Sequence, residues 1–443
     1  MKVAIIGTGH VGLTTAACFA SIGHEVVGVD SDREKLDRII RGEVPFFEPG
    51  LTELTRTQID SGRLTFTHSI AEATQQAEAL FICVGTPARA TGEANLVYVE
   101  AVAREIASSL PGYRLVAEKS TVPVETGEWV RMTMQRHNRS GAEFDVASNP
   151  EFLREGNAIH DTLKPDRIVA GVSSERAARV LREVYEPIIK ETGCPFLITD
   201  IRTAELIKHA SNAFLATKIS FANALAAVCE RAGADVELVT EAMGADLRIG
   251  RAFLHAGAGY GGACFPKDVD AFIHRSKELG YRFGLLEEVA KINEQTRASV
   301  VAKVRRVLWN LEHKKIAVLG LAFKPDTDDV RNAPSLDVCQ RLIKGGAEVR
   351  AWDPQAIEEA KAVAPEINYC ADAEEALRGA DCVVLMTEWD EFRRFTPAKL
   401  KSLLAHPIVV DARNFYDPAE MAAAGFTYVS VGRPIVGEVP SRK

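Results

Sequence analysis

Two stretches of the chain share one order of apolar and polar positions. Each begins with a short apolar run, at 3–6 and at 316–319, and continues into a glycine-bearing turn, a helical segment and a second apolar run. Short uninterrupted apolar runs are typical of parallel strands that are buried on both faces. Their alternation with helices predicts an α/β fold with two Rossmann-like, doubly wound parallel-sheet domains.

A long helical pattern lies between these stretches. From Arg202 to about Arg231, apolar and small residues occupy several helical faces, and Gly233 ends the pattern. Such a helix predicts burial between domains or subunits. We therefore predict two Rossmann-like domains joined by a long central helix, with three parts: 1–200, a central helical and dimerisation region at 201–310 that includes a cysteine loop, and 311–443.

The first turn carries a dinucleotide-binding fingerprint. The sequence GTGHVG follows strand 2–6 directly and opens a helix. Gly7 permits a tight turn, Gly9 lets a pyrophosphate approach the helix N-terminus, and Gly12 lets the helix pack on the strand. Because strand, helix and second strand stand in the expected order, we predict a dinucleotide site here.

An acidic residue ends the second strand of this unit. Asp30 can accept hydrogen bonds from the ribose hydroxyls and would repel a 2′-phosphate, so NAD is the predicted cofactor. Lys35 lies nearby, and a cation there would tolerate the phosphate of NADP. Two later strands end in loops that carry Thr86 and Thr121, which are placed to contact the dinucleotide or the substrate. For Thr86, ordinary turn chemistry before a proline is the alternative.

A cysteine in a glycine-rich loop is the strongest candidate for a nucleophile. Cys264 lies in YGGACFPKD, between glycines that let the backbone approach a ligand and the charge pair Lys267 and Asp268. A nearby ammonium favours the thiolate, which is the reactive form. A buried loop cysteine without a chemical role is the alternative, since free cysteines often fill cores.

Charged and polar residues in the middle of the chain are further candidates. Glu151 and Glu155 would share one face if a helix begins after Pro150, although solvated surface acids are the default explanation. Lys208 and Asn212 stand four apart on the long helix and project from one face. A lysine buried on this helix would need a partner or a function.

Composition excludes several classes of protein. The 443 residues are 47% hydrophobic and 26% charged, and a net charge of −8 without basic runs argues against nucleic acid or anionic membranes as partners. We expect no leader sequence and no apolar stretch of membrane-spanning length, and hence a cytoplasmic protein. The eight cysteines show no zinc spacing, so we expect reduced thiols and no metal.

Taken together, the motifs resemble those of the UDP-glucose/GDP-mannose dehydrogenase family. The matches cover essentially the whole chain, in the order GTGHVG, KSTVP, NPEFLREG, a helical Lys-x-x-x-Asn, RIGRAFLHAGAGYGGACFPKD, GLAFKPDTDDVR and DARN. The resemblance implies oxidation of the C6 hydroxyl of a nucleotide sugar to a carboxylate, with two NAD⁺ and one water. Phe265 after the cysteine resembles the branch that uses UDP-glucose and forms UDP-glucuronate. GDP-mannose and UDP-N-acetylhexosamines are the alternative substrates.

The resemblance also implies catalytic roles. Cys264 would attack the C6 aldehyde to form a thiohemiacetal, which a second oxidation converts into a thioester. Lys208 and Asn212 would stabilise oxyanions at C6, and Asp268 and Thr121 would orient a water or share proton transfer. We expect a homodimer that assembles through the central helix.

Glu151 would be the base for thioester hydrolysis, and the second Rossmann-like domain would hold the UDP-sugar. Further cofactor contacts implied by the resemblance are Val11, Lys35, Thr86, Thr121, Glu155, Lys267 and Arg331. Further substrate contacts are Phe152, Leu153, Phe253, Leu254, Gly259, Tyr260, Gly261, Phe323, Lys324 and Arg413, with Arg248 reaching the sugar of a neighbouring subunit. His10 departs from the family pattern, which often has Tyr there, and its ring would sit against the cofactor or an adjacent loop.

Two other classes of protein are considered. A two-electron dehydrogenase of the 3-hydroxyacid or 6-phosphogluconate type shares the fingerprint and the Lys-x-x-x-Asn helix. It needs neither Cys264 nor a second nucleotide-binding unit, which argues against it. A non-enzymatic binder of NAD or sugar nucleotides would not need the full set of catalytic side chains.

Overall fold

The computed structural model describes residues 1–439 and divides into two compact units. The first comprises Met1–Ser211 with Asp270–Tyr281, and the second comprises Asn212–Val269 with the chain from Arg282 onward. Each unit contains its own sheet. The boundaries at residues 200 and 310 stay a prediction.

The first unit is built on a single large sheet. Its strands are β1 (Lys2–Ile6), β2 (Glu25–Val29), β3 (Leu64–Thr67), β4 (Ala79–Ile82), β5 (Arg114–Glu118), β6 (Phe144–Ser148), β7 (Ile168–Val172) and β8 (Phe196–Thr199). Within the described chain they form one eight-stranded sheet in the order β3-β2-β1-β4-β5-β6-β7-β8. The pairs are parallel except β6 with β7, which is antiparallel. The order reverses between β1 and β4, where doubly wound sheets bind their ligands.

Helices cover this sheet on both faces. They are α1 (His10–Ser21), α2 (Arg33–Ile40), α3 (Leu51–Asp60), α4 (Ile70–Gln76), α5 (Val97–Ser108), α6 (Thr126–His137), α7 (Ala158–Leu163) and α8 (Glu175–Thr192). Alternate residues of β1 enter different cores: Val3 and Ile5 belong to one apolar cluster, Ala4 and Ile6 to another. Burial on both faces explains why the sequence of this strand is apolar without alternation.

A 32-residue helix, α9 (Ile201–Ala232), runs across the division between the units. By length and composition it could cross a membrane, contrary to the expectation from sequence, and 44% of its most apolar window is buried. One such helix is weak evidence, because core helices pass the same test. Its buried residues include Glu205, Lys208 and Asn212. Polar side chains at buried positions with partners are typical of a core helix.

The second unit repeats the first on a smaller scale. Its strands are β9 (Lys315–Leu319), β10 (Glu348–Trp352), β11 (Asn368–Tyr369), β12 (Cys382–Leu385), β13 (Ile408–Asp411) and β14 (Thr427–Ser430). As far as the structure is described, they form a parallel six-stranded sheet ordered β11-β10-β9-β12-β13-β14. This order matches the first six strands of the larger sheet, which confirms the internal repeat and the predicted fold class.

The other helices follow α9 in the chain. They are α10 (Val236–Gly244), α11 (Phe265–Glu278), α12 (Gly284–Leu308), α13 (Pro334–Lys344), α14 (Ile357–Val363), α15 (Ala373–Leu377), α16 (Pro397–Leu403) and α17 (Pro418–Ala423), with a 3₁₀ turn at Asp390–Arg394. The stretch from α9 to α12 is therefore largely helical. A glycine-bearing loop between α10 and α11 carries Cys264.

Candidate active site

The turn between β1 and α1 has the shape of a phosphate cradle. Gly7 has a φ of +100°, and a Cβ there would lie 2.5 Å from the carbonyl oxygen of Cys83. A Cβ on Gly12 would lie 1.8 Å from the carbonyl oxygen of Gly7. Gly9, which precedes α1, has no neighbouring heavy atom within 4 Å of an added Cβ. Open space at the N-terminus of α1, beside Val11, therefore fits the pyrophosphate of a dinucleotide.

Asp30 follows β2, and its carboxylate is held by four donors, one of which is the Asp32 N–H at Oδ1. Its Oδ2 accepts from the Thr8 amide at 3.0 Å, the Thr8 hydroxyl at 2.7 Å and Lys35 Nζ at 2.6 Å. Burial alone would raise the pKa of the Asp30 carboxyl, but the hydrogen bonds from Lys35 and Thr8 outweigh it and lower the pKa to about 2. Lys35 is thus paired with the acid, which favours a ribose hydroxyl over a 2′-phosphate at this strand end.

The two predicted threonines meet at the carboxyl ends of β4 and β5. The Thr86 hydroxyl donates to the Thr121 carbonyl oxygen at 2.9 Å. Behind Thr121, Lys119 is buried, with its Nζ 3.3 Å from Asn149 Oδ1 and 3.0 Å from the Tyr185 hydroxyl. Sequence reasoning missed this buried lysine, although the KSTVP motif places it beside Thr121. Its contacts fix the ends of β5 and β6 together.

The segment that carries Glu151 is not helical. Residues 151–157 form a loop and a turn, and α7 begins only at Ala158. The conditional prediction that Glu151 and Glu155 share a helical face is therefore wrong. The cause is local: Glu151 Oε2 accepts the Leu153 N–H at 2.6 Å, which holds a side-chain turn in place of a helix.

Glu151 and Lys208 form a buried ion pair in the first unit. Glu151 Oε1 lies 2.9 Å from Lys208 Nζ, and the two side chains are 7% and 5% exposed. Lys208 Nζ also lies 5.3 Å from the centroid of the Phe152 ring. Since a buried charge is costly unless it is paired, the predicted base and the predicted oxyanion stabiliser depend on each other in this structure.

Cys264 directly precedes α11 and is exposed, whereas the other seven cysteines are buried. The alternative of a buried loop cysteine is therefore wrong. The Cys264 carbonyl oxygen accepts the Asp268 N–H at 2.8 Å, which begins the helix. The positive end of the helix dipole favours negative charge at this position.

Asp268 connects α9 to the turn that carries the cysteine. Its Oδ2 accepts from Asn212 Nδ2 at 2.6 Å, and its Oδ1 lies 2.8 Å from Lys267 Nζ. Asp268 is 1% exposed. The second unit thus brings the predicted residues Asn212, Lys267 and Asp268 into one cluster beside Cys264. Among residues 1–439, no cluster of three or more His, Cys, Asp or Glu residues could hold a metal ion.

The glycine-rich loop before Cys264 is packed tightly from both sides. The Tyr260 N–H donates to Asn293 Oδ1 at 2.8 Å, and Asn293 Nδ2 donates to the Tyr260 carbonyl at 3.0 Å. A Cβ on Gly259 would lie 2.5 Å from the same Asn293 oxygen, and one on Gly262 would lie 2.9 Å from the Phe323 ring. Sequence reasoning missed Asn293, because a single asparagine within α12 carries no recognisable signal.

The other predicted substrate residues of the second unit are placed in different surroundings. Arg413 donates to the carbonyl oxygens of Met386 at 2.8 Å and Phe323 at 2.9 Å. Arg248 instead forms an ion pair with Asp246, and its side chain is 88% exposed. Phe323 thus shares one end of the second sheet with Arg413, while Arg248 faces solvent. Other predicted residues here are Gly261, Phe253, Leu254, Lys324 and Arg331, of which Arg331 pairs with Asp329 at 2.8 Å.

Two buried carboxyl groups lie under the Thr121 loop. Glu205 accepts the Glu125 and Gly127 N–H groups, each at 2.7 Å, and burial raises its pKa to about 7. Burial also raises the pKa of Glu118 to about 8, with the charge of Glu205 acting in the same direction. Glu118 Oε1 accepts the Ser120 N–H at 2.9 Å, and Oε2 has no hydrogen-bond partner among the described residues.

We expect Glu118→Gln to flatten the pH dependence of stability. In the parent, Glu118 ionises near its ordinary value when unfolded but only near pH 8 when folded. The unfolded state therefore releases its proton first, and stability falls as pH rises through this window. At pH 8 the variant should be more stable by about 4 kcal/mol, with little difference at pH 4. Urea unfolding across this range measures the effect, and parallel curves for parent and variant would contradict it.

Comparison with known proteins identifies the family to which the chain belongs. Three family models match: the NAD binding domain of the UDP-glucose/GDP-mannose dehydrogenase family at residues 1–189, its central domain at 202–295 and its UDP binding domain at 317–418. The chain belongs to the UDP-glucose/GDP-mannose dehydrogenase family. The predicted family, the enzyme class and the NAD cofactor are confirmed, and a nucleotide sugar is the substrate class.

Relatives in this dehydrogenase family match along the whole chain. UDP-glucose 6-dehydrogenase TuaD of Bacillus subtilis (strain 168) is 46% identical, over 100% of this chain and 95% of its own. A UDP-glucose dehydrogenase from Pyrobaculum islandicum has a TM-score of 0.89 and 40% identity, over 97% and 96%. A UDP-D-ManNAc dehydrogenase from Pyrococcus horikoshii has a TM-score of 0.86 and 28% identity, over 98% and 99%. Family membership excludes the two alternative classes, a two-electron hydroxyacid dehydrogenase and a non-enzymatic binder.

Proposed function

We propose that the chain oxidises C6 of UDP-glucose to the carboxylate of UDP-glucuronate, with two NAD⁺ and one water. The observation that carries this proposal is the exposed Cys264 at the start of α11, beside the Asn212–Asp268 hydrogen bond. A thiol in such a place supplies covalent chemistry that a two-electron alcohol dehydrogenase does not need. Identities of 46% and 40% to UDP-glucose dehydrogenases, against 28% to a UDP-D-ManNAc dehydrogenase, support UDP-glucose as the sugar.

The first oxidation needs a charge-stabilising group at C6. NAD⁺ held at the glycine turn and Asp30 would supply the hydride acceptor for each of the two oxidations. Lys208 and Asn212 lie four residues apart on α9, so both side chains project from one helical face. They stabilise the oxyanion that develops as the C6 hydroxyl loses its proton. Thr121 and Asp268 share the transfer of that proton through a positioned water.

Cys264 carries the second half of the reaction. Its sulfur bonds to the aldehyde carbon, and the aldehyde oxygen takes up a proton to give a thiohemiacetal. The second oxidation removes a hydride from carbon and a proton from that hydroxyl, which leaves a thioester. Water, activated by Glu151, adds to the carbonyl carbon; the C–S bond breaks, the thiol regains its proton and the carboxylate departs.

The remaining proposed roles are assigned to the three parts of the chain. We propose that residues 1–200 bind NAD, 311–443 bind the UDP-sugar, and the loop of 201–310 supplies the thiol. The proposed NAD contacts beyond the glycine turn and Asp30 are Lys35, Thr86, Glu155, Lys267 and Arg331. The proposed sugar contacts beyond the catalytic residues are Phe152, Leu153, Arg248, Phe253, Leu254, Gly259, Tyr260, Gly261, Phe323, Lys324 and Arg413.

Counting NADH against limiting UDP-glucose tests the function. Absorbance at 340 nm should report two NADH per UDP-glucose, because the aldehyde stays on Cys264 until it is oxidised again. GDP-mannose and UDP-N-acetylmannosamine, run separately, should give no comparable reduction. One NADH per sugar would contradict the covalent mechanism. Two NADH from a rival sugar and none from UDP-glucose would overturn the substrate assignment and keep the mechanism.

We also propose a homodimer that forms through α9. Phe214, Phe221 and Val228 recur every seven residues on this helix and are 65%, 51% and 59% exposed. Side chains at this spacing lie on one face, and an exposed apolar stripe is typical of an interface. The exposed Arg248 is then available to a neighbouring subunit. A cytoplasmic location is proposed because none of the eight cysteines, all within residues 1–439, is joined in a disulfide, which fits a reducing compartment.

Two charges in the stripe should prevent dimer formation. For Phe214→Glu/Phe221→Glu we expect sedimentation at the mass of one 48.2 kDa chain, and for the parent at twice that mass. Burying a carboxylate in an apolar contact costs several kcal/mol, which exceeds what the lost contacts alone contribute. Val363→Glu, at a 60% exposed site on α14, is the matched control and should leave the mass unchanged. A double variant that is still dimeric would exclude this face of α9 as the dimer interface.

A further inference from the structure

A buried carboxylate links the dinucleotide turn to the segment after β6. Glu48 lies in the loop between α2 and α3, and its side chain is 1% exposed. Its Oε2 lies 2.7 Å from His10 Nε2 and accepts the Gly156 N–H at 2.7 Å. Its Oε1 accepts the Ala158 N–H at 2.8 Å. One side chain of the first unit therefore contacts both regions.

His10 is the residue on the cofactor side of this link. It is the first residue of α1 and directly follows Gly9 in the dinucleotide turn. The hydrogen bond between His10 Nε2 and Glu48 Oε2 ties the first residue of α1 to the loop between α2 and α3. The His10 ring also stacks on Phe46 with 4.4 Å between centroids. Two residues of one loop thus fix the orientation of the helix N-terminus at which a pyrophosphate binds.

On its other side, Glu48 contacts the backbone at the end of the segment that carries Glu151. Gly156 has a φ of +78°, and Ala158 is fully buried at the start of α7. At the other end of the segment Glu151 pairs with Lys208 at 2.9 Å. The loop is therefore anchored at both ends by a buried carboxylate. The anchor at Gly156 is Glu48, which also contacts the dinucleotide turn through His10.

We propose that Glu48 is a positioning residue that holds the dinucleotide turn and the sugar-binding segment in one mutual arrangement. The inference rests on the proposed function, since it takes residues 151–153 to contact the sugar. Glu48 acts through His10 on one side and through the Gly156 and Ala158 amides on the other. Its loss should therefore weaken the binding of both ligands, with little change in the chemical step.

Glu48→Gln tests this role because it keeps the shape of the side chain. A backbone N–H faces each of the two carboxylate oxygens of Glu48, so the amide NH₂ of glutamine must face at least one N–H. We expect about tenfold weaker NADH binding by fluorescence titration, an approximately tenfold higher KM for UDP-glucose, and a kcat within about threefold of the parent. Glu48→Asp keeps the charge and should recover part of the loss. Glu53→Gln, an exposed neighbour, should change neither quantity.

A folded Glu48→Gln protein with parental NADH affinity and parental KM for UDP-glucose overturns the proposal. A change in only one of these two quantities shows that Glu48 does not link the dinucleotide turn to the sugar-binding segment, and this also overturns the proposal. If this variant does not fold, His10→Phe takes its place, since it keeps the stacking on Phe46. Weaker NADH binding by His10→Phe supports the proposal, and unchanged binding overturns it. NADH binding needs no turnover, so it still decides the question if the parent fails to oxidise UDP-glucose.

Discussion

Cys264→Ser should reduce turnover of UDP-glucose by ~10³-fold or more and prevent the second oxidation. A serine hydroxyl is far less ionised than a thiol near neutral pH, so it adds slowly to the C6 aldehyde. Any ester that does form lacks the good thiolate leaving group. The first oxidation needs no thiol, so the NADH yield should fall from two per sugar towards one. Single-turnover absorbance at 340 nm separates the two oxidations.

The exposure of Cys264 makes this experiment specific. The other seven cysteines are buried, so a brief alkylation of the parent should label Cys264 first. Cys194→Ser, at an 8% exposed position after α8, is the matched control and should keep two NADH per sugar. A Cys264→Ser enzyme that still gives two NADH at the parental rate would show that the aldehyde is oxidised without covalent attachment.

Local backbone requirements made part of the site predictable from sequence. The glycines at 7 and 12 stand where a Cβ would collide with main-chain atoms, so their spacing encodes the turn directly. Cys264 was recognisable for a similar reason, since its glycine-rich neighbourhood marks a loop. Apolar runs such as β1 were also clear, because burial on both faces leaves no polar position in the strand.

Other parts of the site depend on partners that are distant in the chain. Glu48 looks like a surface acid in sequence, and only its contacts with Gly156 and Ala158 reveal its position. Asn293 is similar, because its role is set by both main-chain groups of Tyr260. β8 was not predicted, since its Leu197 and Ile198 are about half exposed and give no buried pattern.

The Lys208–Glu151 pair allows the proposed catalytic role of the lysine to be separated from its structural role. Lys208→Met removes one partner and leaves Glu151 buried without its counter-charge, at 7% exposure. We expect a loss of about 3–5 kcal/mol in the free energy of unfolding. We also expect kcat/KM to fall by ~10³-fold, since the oxyanion at C6 loses its cation. Urea unfolding and steady-state kinetics measure the two effects.

The double variant Lys208→Met/Glu151→Gln removes both charges, so most of the lost stability should return. Activity should not return, because neither the cation at C6 nor the base for thioester hydrolysis is restored. Lys190→Met, in the exposed pair with Glu186, is the control and should cost less than about 1 kcal/mol with no change in rate. If activity returned together with stability in the double variant, Lys208 would be a structural residue, and the charge at C6 would have to be stabilised by Asn212 and other groups.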